Sequence, residues 1–273
     1  MSTGGWRVDT ATLAGQPSRA STLLIEHWAD GMARWRPFGD PRPAAADSVL
    51  TLGGNGRYHS GVYLAAPLDG TRGVNVRARI AAPISSRQWQ YIAIEFSANV
   101  NFEALRKWSH ERAYLWGIPG IAGDWESCAL YYPPPTESST ARDSIGLVSL
   151  RHSTEIPAPA SLQSGQWADV VLQLFPDGRC GVAIDSRVIA VTRPANERLS
   201  SVLLSIFGNS VGTRIQVGEL QVSQGVAAEF DTVVGTRRDQ IRPMPSSRTG
   251  RAPITDSPAG TLPPPRGPPP PRR

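Results

Sequence analysis

Short segments of alternating apolar residues, separated by turn residues, recur along this chain and constrain its fold more than any other feature. Residues 167–192 show the pattern most clearly. Val170, Leu172 and Leu174 share one face of a strand, because side chains alternate along an extended backbone. The sequence Pro-Asp-Gly at 176–178 then turns the chain, since proline presets φ and glycine accepts a positive φ. We therefore predict three antiparallel strands in this segment.

The same signal predicts an all-β fold for most of the chain. Many short strands bounded by Gly, Asn, Asp and Pro are typical of two-sheet antiparallel sandwiches. The segments that carry the signal are 22–28, 48–52, 60–65, 74–80, 89–97, 127–132, 145–151, 168–175, 179–184, 187–192, 201–207 and 214–222. Residues 101–113 have the best helical spacing, with a long loop as the alternative. We interpret residues 35–39 as a loop that anchors one end of the sandwich.

The composition changes after Phe230. Residues 232–273 contain 11 Pro, eight Arg, two Asp and no aromatic residue, which gives this segment a charge of +6. Such a segment buries too little apolar surface to offset its chain entropy, so we predict that it is disordered. The predicted organisation is an N-terminal arm at 1–20, a β-sandwich at 21–230 and a disordered Pro/Arg-rich tail at 231–273.

The basic charge of the chain belongs to this tail. The whole chain has a charge of +5, so the predicted sandwich is nearly neutral and nothing favours nucleic-acid binding by it. A Pro/Arg-rich tail can dock on an aromatic-lined groove or an acidic surface, and a linker or solvated terminus is the other interpretation.

Targeting signals indicate where the chain is expected to occur. The chain has no basic segment followed by an apolar leader and no apolar run long enough to span a membrane. We therefore expect a soluble, cytoplasmic protein without a signal peptide or transmembrane segment.

The two cysteines, Cys128 and Cys180, are too few for a disulfide framework or a zinc site. We favour two buried free thiols, because free cysteine is often buried. The alternative is a disulfide, if the fold brings the two together.

Several stretches are similar to the concanavalin A-like lectin/glucanase (LamG-type) jelly-roll domains. SGQWADVVLQLFPDGRCGVAIDSRVIAV resembles their late strands, and GNSVGTRIQVGELQV their closing strand. HWADGMARWRPFGDPRP and GGNGRYHSGVYL fit the opening strands. The resemblance covers about residues 20–225. It implies a jelly roll of two curved antiparallel sheets, whose concave face often holds a sugar.

The resemblance also indicates which residues an enzyme or a metal-binding lectin of this family would carry. Its glucanases have the spacing E-x-D-x-(x)-E on one strand, and retaining hydrolysis needs carboxyl groups ~5–5.5 Å apart. Its legume-type lectins have A-V-E-F-D, whose Glu and Asp help bind metals. Here IAIEFSAN keeps Glu95 but has Ser97 in place of the Asp. We therefore predict no catalytic residue, no metal ligand and no cofactor.

Residues 89–97 are the most informative segment for function. Ile92, Ile94 and Phe96 should face the core, which places Trp89, Tyr91 and Glu95 together on the other face. Aromatic rings stack on the C–H faces of sugars while a carboxylate accepts hydrogen bonds from their hydroxyls, so this face could hold a glycan. The alternative is that residues 98–126 cover it and that Glu95 bonds to an arginine or to the backbone.

The segment 108–132 is rich in aromatic residues and adds Trp116 and Trp125 to the candidate ligand contacts. A hydrophobic cluster beneath a long loop is the alternative. Glu95 with Glu126 or Asp124 is the one carboxylate pairing worth testing for hydrolysis.

We interpret the chain as a non-catalytic module that binds a carbohydrate or a protein on the concave face. The predicted ligand contacts are Trp89, Tyr91, Glu95, Trp116 and Trp125. One alternative is a glycoside hydrolase or lyase with atypical carboxylates. The other is a structural or sensory domain of a larger assembly.

Overall fold

The computed structural model describes residues 20–53, 58–82, 91–98, 113–114, 127–132, 144–149, 152–192, 199–209 and 214–231. The strands are β1 (Ser21–Glu26), β2 (Trp35–Gly39), β3 (Ala44–Ala46), β4 (Val49–Leu52), β5 (Tyr58–Leu64), β6 (Leu68–Asp69), β7 (Val74–Ala81), β8 (Tyr91–Ala98), β9 (Ala113–Tyr114), β10 (Ser127–Tyr132), β11 (Ser144–Ser149), β12 (His152–Pro157), β13 (Ala168–Leu174), β14 (Cys180–Ile184), β15 (Arg187–Val191), β16 (Ser201–Asn209) and β17 (Ile215–Gln224). A one-turn helix, α1 (Ala160–Gln163), and 3-10 turns at Gly70–Arg72 and Ala228–Phe230 connect them. The predicted arm and tail lie almost entirely outside the described residues and stay predictions.

In the described part of the chain the strands form two antiparallel sheets. The eight-stranded sheet has the order β15-β14-β13-β7-β17-β4-β3, and β1 also pairs with β17. The nine-stranded sheet has the order β12-β11-β10-β8-β16-β5-β2, with β6 on β16 and β9 on β5. These two sheets confirm the predicted all-β sandwich.

The core lies between the two sheets, and the alternation of each strand decides which residues enter it. Ile94 and Phe96 of β8 and Leu172 of β13 are at most 1% exposed and belong to one hydrophobic cluster. The residues between them on each strand point to the opposite side of the sheet, because side chains alternate at every residue. We call that opposite side the outer face of each sheet.

Cys128 and Cys180 form a disulfide, so the expectation of two free thiols is wrong. Cys128 lies on β10 of the nine-stranded sheet and Cys180 on β14 of the eight-stranded sheet. Both side chains point into the core, where their Cα atoms are 5.3 Å apart. Strands from opposite sheets meet at this point, and the bond therefore joins the two layers across the core.

Two further expectations concern segments that were not predicted as strands. Residues 35–39 form β2, which pairs with β5, and not a loop. Trp35 is 1% exposed within the core, which is the physical reason for the difference. The predicted helix at 101–113 lies outside the described residues except for Ala113, which belongs to β9. No helix among the described residues has the length and apolar character needed to cross a membrane.

Among the described residues, the outer face of the eight-stranded sheet is covered at one end. The chain returns over it after β17, where Ala227 and Phe230 pack against Val171 and Phe175. The rings of Phe230 and Phe175 meet edge to face at 5.5 Å between centroids. At the other end of this face, Trp167 and Asp169 are exposed.

Candidate functional site

Glu95 lies near the middle of the nine-stranded sheet, on its outer face. It pairs in register with Ser205 on β16 and with Ala129 on β10. Ile94 and Phe96 on either side of it enter the core, so the predicted direction of this strand is confirmed. The central position of β8, between β10 and β16, fixes the backbone of Glu95 on both sides.

The carboxyl of Glu95 is 1% exposed and accepts hydrogen bonds from two hydroxyls. Ser97 Oγ donates to its Oε1. Tyr131 Oη donates to its Oε2 at 3.3 Å. Burial raises the pKa of Glu95 to about 7, although both hydroxyls oppose the change by favouring the charged form. Near neutral pH this carboxyl therefore exchanges a proton, and it can both donate and accept hydrogen bonds.

A third hydroxyl beside Glu95 has no hydrogen-bond partner within the part of the chain that the structure describes. Ser205 is fully buried, and its Oγ makes no hydrogen bond. Buried polar atoms are almost always paired, so an unpaired one needs an explanation such as a water or a ligand. The carboxyl of Glu95 and the hydroxyls of Ser97, Tyr131 and Ser205 form one polar cluster, which we call the Glu95 cluster.

Aromatic side chains flank the Glu95 cluster on the β5 side. Phe207 lies 6.3 Å from Phe38 and 5.6 Å from His59, measured between ring centroids. Gly61 permits this packing, because a Cβ atom there would lie 2.7 Å from Cζ of Phe38 and 2.7 Å from the carbonyl oxygen of Ile206. These rings are buried, so they form a wall beside the polar cluster.

The structure places one of the five predicted ligand contacts in full. Glu95 is described with its side chain, and Tyr91 is described as the first residue of β8, in register with Asn209. Trp89, Trp116 and Trp125 lie outside the described residues, as do Asp124 and Glu126. The five residues together remain a prediction. Among the described residues, the carboxyl of Glu95 accepts hydrogen bonds from the hydroxyls of Ser97 and Tyr131 and from no arginine or backbone group.

The sequence analysis did not place Tyr131 or Ser205 beside Glu95. Tyr131 lies on β10 opposite Ala93 of β8, and Ser205 lies on β16 opposite Glu95 of β8. Their segments were predicted as strands, but the partner of each residue depends on strand order and register. Neither property can be read from one segment alone.

The cluster offers one carboxyl group for chemistry. Glu155 and Asp69 are the other acidic residues in the described strands of this sheet. Glu155 lies three strands away from Glu95, or ~14 Å at the usual strand spacing. Asp69 pairs with Ser201, four residues along β16 from Ser205, or ~13 Å by the rise of a strand. Both exceed the ~5–10 Å that a hydrolytic pair spans. Among the described residues no group of His, Cys, Asp or Glu is arranged to hold a metal ion.

No protein-family model and no curated protein matches this chain in sequence. Solved structures match it in fold. A family 16 glycoside hydrolase, an endo-glucanase from Bacteroides ovatus, has a TM-score of 0.52 at 9% identity over 73% of this chain and 99% of its own. The LamAcat structure from Zobellia galactanivorans has a TM-score of 0.50 at 10% identity over 74% and 97%. The κ-carrageenase from Pseudoalteromonas carrageenovora has a TM-score of 0.50 at 8% identity over 80% and 100%. These matches confirm the concanavalin A-like jelly-roll fold.

Proposed function

We propose that this chain is a non-catalytic module that binds a carbohydrate on the outer face of the nine-stranded sheet. The ligand contacts we assign are Trp89, Tyr91, Glu95, Trp116 and Trp125. The observation that carries the proposal is the Glu95 cluster, in which a buried carboxyl whose pKa is raised to about 7 lies beside a buried hydroxyl that has no partner among the described residues.

The chemistry of the cluster suits a sugar. Sugar hydroxyls donate and accept hydrogen bonds, and the protonated carboxyl of Glu95 does the same. The Ser205 hydroxyl, for which the described residues supply no partner, would gain one from such a ligand. The assigned tryptophans and Tyr91 would supply stacking surface for the C–H faces of the sugar. Structures of the same fold include an endo-glucanase with bound G4G3G-2F-DNP and a κ-carrageenase with a κ-carrageenan oligosaccharide.

The burial of Glu95 adds a requirement to this proposal. At 1% exposure, its carboxyl meets a ligand only if the groups over it move aside on binding. Coupled opening of this kind makes the apparent affinity weaker than the intrinsic affinity, because only the open fraction binds. Replacing Glu95 should therefore change affinity, whereas replacing the assigned aromatic residues should abolish it.

Two alternatives each have one observation in their favour. A glycoside hydrolase would use Glu95 as its general acid, and a pKa of about 7 suits that role. Its second carboxyl would have to come from a residue such as Asp124 or Glu126. A structural domain would keep the outer face buried, as it is at Glu95. A protein ligand on the same face is the remaining form of the recognition proposal.

A glycan array followed by calorimetric titration separates these functions. The probes are neutral glucan oligosaccharides with β-1,3, β-1,4 and mixed linkages, together with κ-carrageenan tetrasaccharide. At this face we expect saturable binding that is lost in Trp89→Ala and retained in Trp108→Ala, a matched tryptophan outside the assigned contacts. Release of reducing ends by the wild type that stops in Glu95→Gln would instead support the hydrolase. No glycan binding, and no partner changed by Trp89→Ala, would contradict recognition at this face.

A further inference from the structure

The accessible end of the outer face of the eight-stranded sheet holds a groove of about 500 Å³. We call it the Trp167 groove. It is lined by β7, β13 and β17, and by the turn before β4. The strand β17 carries a β-bulge here, between Val217 and Leu220, where its register with β7 shifts. Bulges commonly occur beside functional sites, where they redirect side chains. Ligand pockets usually measure ~300–1,000 Å³, so the groove has the size of a binding site.

Trp167 gives the groove an aromatic surface. Its side chain is 38% exposed, and it and Ile25 are the exposed large hydrophobic residues of the described chain. The edge of its ring lies against Gly218, where a Cβ atom would be 3.3 Å from Cζ3 of the tryptophan. The guanidinium carbon of Arg79 lies 5.4 Å from the centroid of the ring. The ring is thus held in place by β7 and β17 while more than a third of its surface faces solvent.

Polar groups on the neighbouring strands point into the same groove. Asp169, next but one to Trp167 and therefore on its side of β13, lies directly opposite Arg79. Asp169 is exposed, and its carboxylate forms no ion pair within the described residues. The amide nitrogen of Gln221 donates to Thr22 at 2.8 Å and to Ser223 at 3.1 Å. These bonds leave its carbonyl oxygen available as an acceptor.

The charges of the groove favour a neutral ligand over an anionic one. Asp47, Asp169 and Glu219 place three carboxylates along the lining. Of the two arginines in the lining, Arg77 is already paired with Glu229. An anionic sugar would meet more negative than positive charge, which is unfavourable. The hydroxyls of a neutral sugar can donate to these carboxylates and accept from Arg79.

We propose that the Trp167 groove is a second carbohydrate site, which binds a neutral oligosaccharide by stacking on Trp167 and by hydrogen bonds to Asp169, Gln221 and Arg79. It lies on the other sheet from the Glu95 cluster. It therefore goes beyond the function proposed above and does not depend on it. A chain with both sites would hold two segments of one polysaccharide, which strengthens binding to long chains over short ones.

The test is an array that contains neutral, sulfated and uronic-acid oligosaccharides, probed with the full chain and its variants. We expect the chain to bind neutral glycans. Their affinity should fall about tenfold or more in Trp167→Ala, as expected when a central aromatic contact is lost. Asp169→Asn, an exposed change that cannot disturb the core, should weaken the same glycans. Trp167→Phe, which keeps an aromatic ring, should retain part of the affinity. Ile25→Ala removes the other exposed apolar side chain from outside the groove lining and should change nothing.

The two proposed sites fail in different ways. Binding that depends on Trp167 should persist in Glu95→Gln, and its loss there would show that the groove is not an independent site. If no neutral glycan depends on Trp167 and Asp169, or if only sulfated or uronic-acid glycans do, the proposal is wrong. Far-UV circular dichroism of each variant establishes that a lost signal is not lost folding.

Discussion

The buried carboxyl of Glu95 should make the stability of the folded chain depend on pH in a way that one substitution removes. The pKa of Glu95 is about 7 in the folded chain, whereas its ordinary value is 4.5, because burial disfavours the charged form. Between these values the folded chain keeps a proton that the unfolded chain releases. The free energy of unfolding must therefore fall as the pH rises through this interval.

The size of the effect follows from the width of the interval. One pH unit is worth about 1.4 kcal/mol for one proton. The stabilisation is fully present below about pH 4.5 and is lost as the pH rises to about 7, a decrease of roughly 3 kcal/mol. Glu95→Gln keeps the shape and hydrogen-bonding capacity of the neutral acid but has no proton to lose. Its free energy of unfolding should lack this decrease.

Urea unfolding from pH 4 to pH 8, followed by circular dichroism, measures the difference. The wild-type curve should fall relative to that of Glu95→Gln by roughly 3 kcal/mol. Glu155→Gln changes an exposed carboxylate on the same sheet and should follow the wild type. Parallel curves for the wild type and Glu95→Gln would refute the argument, since they would show that Glu95 titrates alike in the folded and unfolded chain.

Two further predictions concern the sandwich. Replacing Cys128 and Cys180 by alanine should lower the free energy of unfolding by about 4 kcal/mol through loop entropy, because the disulfide closes a loop of 52 residues. Urea unfolding with and without reductant measures this. A wild-type free energy of unfolding that does not change with reductant would contradict the disulfide. Gly61→Ala should cost about 1–3 kcal/mol by overpacking, because its Cβ would lie 2.7 Å from Cζ of Phe38. The same assay checks it, and a free energy of unfolding equal to that of the wild type would contradict the role of packing.

The strands and the direction of β8 could be predicted because their signals are local. Alternation placed Ile94 and Phe96 inward and Glu95 outward, and the structure agrees. The strand β2 was missed because its five residues include Pro37, which counts against a strand. Proline is tolerated on an edge strand, and β2 ends the order of its sheet.

The disulfide and most of the Glu95 cluster could not be predicted, because they depend on how distant segments meet. Cys128 and Cys180 pair only since β10 and β14 face each other across the core. Ser205 reaches Glu95 through the register of β16 with β8. A single sequence contains neither the strand order nor the register. The Trp167 groove was missed for the same reason, although the segment that begins at Trp167 was predicted to form strands; Trp167 itself lies just before β13.

Calorimetric titration of array-selected glycans tests the central claim most directly, with the wild type, Trp89→Ala and Glu95→Gln compared at pH 6. We predict saturable binding by the wild type, no binding at the Glu95 face in Trp89→Ala, and altered affinity in Glu95→Gln without any release of reducing ends. Glycan affinity that is the same in all three proteins would contradict recognition on the outer face of the nine-stranded sheet.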